Sequence, residues 1–132
     1  MIKSEIKVEF TIFHNSFLDH QEITKLIGIE PVISWNLGDE IRKNLFRKES
    51  AWIYSTGYIV SLDLKDILNS IIQILTPNIQ DLSEYIYSQN LETKFDIVFR
   101  ISKDQIPSHF LSKEFINLSC KLNAVVETDI YL

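Results

Sequence analysis

Three histidines, one cysteine and two acidic pairs are the first places to look for chemistry in this 132-residue sequence. His14, His20 and His109 form no i, i+4 pair and have no cysteine partner at ligand spacing. Zinc needs three or four convergent nitrogen or sulfur ligands, and the spacing indicates none. His20 beside Asp19 is the best acid–base pair. In the first turn of a helix, however, an imidazolium would oppose the helix dipole. Cys120 could act as a nucleophile only if His109, eleven residues before it, met it in space; a lone cysteine on a helix reads as a buried structural thiol instead. Asp63 with Asp66, and Asp81 with Glu84, fall at i, i+3 in the opening turns of helices, where acidic groups favour the dipole. Gly28, Gly38 and Gly57 stand alone, so there is no phosphate-cradling loop. There is also no Gly-x-Ser-x-Gly elbow. The sequence therefore assigns no catalytic, metal-binding or cofactor-binding residue.

The elements that must hold these residues follow from periodicity. Ile6, Val8, Phe10 and Ile12 alternate with polar residues, the period of a half-buried strand. Asp19 and Glu22 have capping-box spacing, and Leu18 and Ile23 can close a hydrophobic staple over a helix of about residues 20–27. Gly28 suits the left-handed helix end and Pro31 prevents resumption. Residues 32–37 read as a strand and 39–49 as a charged loop. Residues 51–60 read as one strand whose first face is Trp52, Tyr54, Thr56 and Tyr58. Leu64, Ile67, Leu68, Ile71, Ile72 and Leu75 make a wide helical apolar face that Pro77 ends. Asn78 can cap a second helix carrying Leu82 and Ile86. Phe95 to Ile101 is a strand, Ser112 can cap a last helix, and Val126 to Ile130 alternates as the closing strand.

Residues 1–132 thus form one α+β domain. The outer segments, 1–37 and 95–132, look like two βαβ-like halves joined by a strand and helix pair at 51–90. The expected architecture is a mostly antiparallel sheet of about five strands with helices on one face, a ferredoxin-like pseudo-duplication. Chance likeness between two amphipathic units is the alternative.

Bulk properties narrow the function classes. The net charge is −5, with residues 61–132 carrying most of the excess: 6 basic against 10 acidic groups. Such a chain lacks the broad positive field that phosphate backbones require, so no nucleic-acid partner is expected. Arg42, Lys43, Arg47 and Lys48 are a local exception, partly neutralised by Asp39, Glu40 and Glu49. A lone cysteine fits a reducing cytoplasm. Met1 to Lys7 lacks the apolar core of a signal peptide, and the apolar stretch 59–75 is interrupted by Asp63, Lys65 and Asp66, so no membrane span is expected. The candidate partner-binding face is aromatic: Trp35, Trp52, Tyr54 and Tyr58. If helices cover the opposite face, these rings form an exposed recognition patch; if helices cover this one, they are core.

Several short motifs occur together: Ile23-Thr24, Gly28-Ile29 with Pro31, Gly38-Asp39, Trp52, Leu62-Asp63 and the terminal Asp129-Ile130-Tyr131. Their order resembles a bacterial family of single-domain proteins catalogued as a domain of unknown function. The resemblance spans nearly the whole chain, although the family's Leu-Gly-Ile segment reads Leu26-Ile27-Gly28-Ile29 here. It implies no catalytic residues. Some members look like immunity proteins, which bind and neutralise a toxin. The expectation is a non-enzymatic protein-binding domain, with immunity protein as its sharpest form and a basic toxin as partner. The alternative is a small-ligand sensor with a pocket between the two halves. An enzyme using His20, Asp19 or Asp63 is a third reading.

Overall fold

The computed structural model describes residues 3–132, so Met1 and Ile2 of the N-terminal stretch lie outside the described residues. The main sheet is built on two long strands, β1 (Glu5–His14) and β7 (Glu92–Arg100). They pair antiparallel with Phe10 opposite Phe95 and Glu9 opposite Asp96. Between them in sequence come α1 (His20–Ile27), β2 (Ile33–Trp35), β3 (Glu40–Arg42), β4 (Leu45–Phe46), β5 (Ser50–Ser55), β6 (Ile59–Val60), α2 (Leu64–Leu75), a 3₁₀ turn (Thr76–Asn78) and α3 (Ile79–Ser88). After β7 come α4 (Lys113–Lys121) and β8 (Val125–Tyr131). The spatial order is β2-β5-β1-β7-β8, with β6 also paired to β1.

The fold is α+β, but among the described residues the sheet is mixed and has six strands, where a mostly antiparallel sheet of about five was expected. β8 runs parallel to β7 because α4 carries the chain back to the same end before the strand begins. The two outer units also pair differently. β5 lies between β1 and β2, whereas β7 and β8 are direct neighbours.

Local chemistry sets the helix ends much as periodicity indicated. Asp19 Oδ1 accepts from Glu22 N (3.1 Å), and Leu18 and Ile23 are both buried, closing the staple. Gly28 takes φ 89° and donates its N–H to Thr24 O at 2.8 Å. Asp63 caps α2 through Lys65 N, and Ser112 caps α4 through Phe115 N. Asn78 makes no side-chain capping bond, because the 3₁₀ turn runs directly into α3.

The apolar stripes of these helices meet one face of the sheet. Ile6, Val8, Phe10 and Ile12 of β1 and Phe95, Ile97 and Phe99 of β7 are buried against Ile23, Leu68, Leu82 and Phe115. Phe10, Phe95 and Phe115 form a chain of ring contacts with centroids 4.9 and 4.8 Å apart. Each fully buried large side chain contributes about 1.5–3 kcal/mol.

Cys120 is exposed rather than buried. The stripe of α4 runs through Phe115, Leu118 and Leu122, and a residue two past Leu118 points the other way. The charged segment 39–49 is not a plain loop. It folds into the two-stranded β3–β4 hairpin, turned by Asn44 at φ 63°.

Where α1 faces α3, Tyr85 has its phenol pKa raised, first by burial and then by the carboxylates of Asp19 and Glu22. A raised folded-state value means the stabilisation is fully present below the ordinary value of 10.0 and is lost as pH climbs through the folded one. Tyr85→Phe should therefore flatten the fall in melting temperature between about pH 9 and about pH 11. An unchanged alkaline slope would remove Tyr85 as its source.

Candidate functional site

The helix-free face of the sheet starts with a change of register. Ser55 on β5 lies opposite Glu9, and Ile59 on β6 lies opposite Ile6. The chain thus takes four steps where β1 takes three, the signature of a bulge. Gly57 supplies it at φ 68°. Thr56 secures the turn by donating N–H to Val8 O (3.0 Å) and accepting from Val8 N through Oγ1 (3.1 Å). One extra residue reverses every later side chain. Trp52 and Tyr54 therefore point to the helices, while Tyr58 points to the bare face.

This divides the four aromatic candidates. Trp52 is fully buried, with its indole Nε1 donating to Thr24 Oγ1 on α1 at 3.0 Å. Tyr54 is half-buried beside the same core. Tyr58 and Trp35 lie on the helix-free face. The expected common strand face of Trp52, Tyr54 and Tyr58 does not exist, because residues 51–60 are two strands joined by the bulge. No added Cβ at Gly57 would meet an atom within 4 Å, so substitution there costs backbone strain alone. Gly57→Val should destabilise by about 1–2 kcal/mol, and Gly57→Asn by less, because Asn tolerates the left-handed region. Equal losses in chemical denaturation would contradict a left-handed bulge.

Tyr58 and Trp35, both half-buried, each carry a cation. Arg100 Cζ lies 3.6 Å from the Tyr58 ring centre and Lys7 Nζ lies 4.7 Å from it. Arg47 Cζ stacks at 3.7 Å on Trp35. The basic cluster of the charged segment thus contributes Arg47 to this face, while Arg42, Lys43 and Lys48 are solvated. Spacing could not show this pairing, since it depends on the β3–β4 hairpin folding back over β2.

Between the rings the face is charged. Lys7 pairs with Glu9 (3.7 Å), Lys94 with Asp96 (3.6 Å) and Arg100 with Glu5 (3.6 Å). Such partly solvated pairs contribute about 0–1 kcal/mol each, so they shape the potential more than the stability. Glu127 and Asp129 on β8 extend the face, and among the described residues neither has an ion-pair partner. An open depression of ≈ 700 Å³ spans β1, β7 and β8 here, with Tyr58 at its margin.

A second depression of ≈ 320 Å³ lies on the helix side of β7 and β8, roofed by the segment 101–112. Leu64, Phe99, Ile101, Ile106 and Ile130 make it apolar, with His109 at its rim. Ser4 anchors the roof: its hydroxyl donates to the Gln105 carbonyl and accepts from Ser102 N at 2.9 Å.

Two of the acid–base candidates, Asp19 and Asp63, are helix caps, and the His20 ring nitrogens are both buried with no hydrogen-bond partner among the described residues. Among the described residues, no three His, Cys, Asp or Glu side chains converge as a metal site requires. None of the described helices is long and apolar enough to cross a membrane.

A family model described as Domain of unknown function (DUF4279) matches residues 4–132, and the chain belongs to that family. No curated protein and no solved structure matches it.

Proposed function

We propose that this member of the DUF4279 family is a non-enzymatic protein-binding domain that docks its partner on the helix-free face of the sheet. One observation supports this most: among the described residues the helices pack on one side of the sheet, and the other side presents Tyr58 and Trp35 with their stacked arginines. Arg, Tyr and Trp are the side chains that most often dominate binding energy at protein interfaces. The charged belt between them would orient a partner more than hold it.

With net charge −5 and two unpaired carboxylates at one edge, the complementary partner is basic. A nuclease-like toxin fits that description, which makes a bacterial cytoplasmic immunity protein the sharpest form of the reading. Affinity capture from an extract of the source organism tests it. A basic protein retained in stoichiometric amount supports it, and recovery of no protein partner counts against it.

The ≈ 320 Å³ apolar depression favours a second reading, a small-ligand sensor. A thermal-shift screen of short apolar acids would support that reading if ligands raised the melting temperature of the native chain and not of an Ile130→Trp variant that fills the depression.

A further inference from the structure

We infer that the outer edge of β8 accepts an extended peptide segment of a partner protein, one in which basic residues alternate with apolar ones. This deepens the protein-binding reading and rests on it for its biological setting, though not for its geometry. β8 pairs only with β7, and its seven residues, Val125–Tyr131, leave the other edge unpaired among the described residues. Ile101 N donates to Tyr131 O at 2.8 Å, which orients the whole strand. Backbone groups alternate in direction along a strand. Tyr131, Asp129 and Glu127 therefore turn their N–H and C=O toward β7, while Val126, Thr128 and Ile130 turn theirs outward. These three residues offer a template for strand addition.

The two faces of that edge specify the occupant. On the helix-free face Glu127 and Asp129 stand exposed and unpaired. On the helix side Ile130 is 59% exposed and borders the apolar depression with Thr128. An added strand would place every second side chain beside the carboxylates and the others beside the depression. Lys or Arg alternating with Leu, Ile or Val satisfies both.

A second copy of this chain does not. Antiparallel self-pairing centred on Thr128 sets Glu127 opposite Asp129 twice. Moving the register by two residues sets Glu127 against Glu127, or Asp129 against Asp129. Like charges directly opposite are destabilising in every case.

The test uses the full chain and two synthetic peptides of about eight residues. One alternates Lys with Leu; the other has the same composition in two blocks. The alternating peptide should bind at least ~10-fold more tightly. Two variants should each weaken it by ~10-fold or more: the charge reversal E127K/D129K, and Thr128→Pro, which removes an outward N–H that an edge strand can spare. Melting temperatures check that both variants fold, and the charge reversal decides the matter if the proline variant does not. Equal binding of the block peptide, full binding by a folded variant, or no binding of either peptide would overturn the proposal. Loss of binding on changing Tyr58 and Arg100 instead would assign the peptide to the sheet face and also overturn it. Failure of the edge leaves docking on the sheet face standing, and failure of the face leaves the peptide result standing.

Discussion

Trp52→Ala should destabilise the protein by about 3–5 kcal/mol, enough to lower the melting temperature by more than ~10 °C. Trp52 is fully buried on the helix side of β5, and its indole N–H satisfies Thr24 on α1. Truncation would leave a large cavity at the junction of sheet and helix and an unpaired hydroxyl beside it. Trp35→Ala is the matched control. Trp35 lies on the other face, half-buried and covered by Arg47, so its loss should cost no more than ~1 kcal/mol. The same contrast should appear in fluorescence. Iodide should quench the single tryptophan left in a Trp52→Phe chain more strongly than the one left in a Trp35→Phe chain. Similar stabilities for the two alanine variants would contradict the division of faces made by the bulge.

The second large effect concerns binding. The double variant Y58A/R100E should fold with a melting temperature within a few degrees of the parent, because its cation–ring stack and the Arg100–Glu5 pair are largely solvated. It should nevertheless lose at least ~2 kcal/mol of affinity for a captured partner, about 30-fold, if the pair lies at the centre of the interface. Titration calorimetry with the purified partner measures this. Unchanged affinity in the folded variant would move the interface off this face.

Much of the scaffold was legible in the sequence, for identifiable reasons. The Asp19–Glu22 cap, the Leu18–Ile23 staple and the Gly28 helix end depend on residues within ten positions of one another, and local geometry decides them. The alternation in β1 and β7 marks the core face because one side of each strand meets only apolar side chains. What escaped was decided at longer range or by a single residue. The split of residues 51–60 turns on Gly57, and alternation read through it assigns Tyr58 to the wrong side. The parallel pairing of β8 depends on where α4 delivers the chain, which strand periodicity does not encode. The β3–β4 hairpin was hidden because its residues are mostly charged, although Asn44 was a signal for its turn. A lone cysteine is expected to be buried from its type, but Cys120 falls off the Phe115, Leu118 and Leu122 stripe of α4 and is exposed.

The candidate site was legible only in its parts. Residue type marks Trp35 and Tyr58 in the sequence, but nothing in the sequence joins Arg47 and Arg100 to them. Those pairings are made across strands and through a hairpin, and no spacing along the chain encodes them. The free edge of β8 likewise follows from its neighbours in the sheet rather than from its own residues.

Lysine-reactive footprinting of the chain, free and bound to a captured partner, tests docking on the helix-free face most directly. Lys7 and Lys94 lie on that face, while Lys65 and Lys113 lie on the helices. Protection of Lys7 and Lys94 with unchanged labelling of Lys65 and Lys113 is the expected result. Protection of the helix lysines with Lys7 and Lys94 still fully reactive would contradict it.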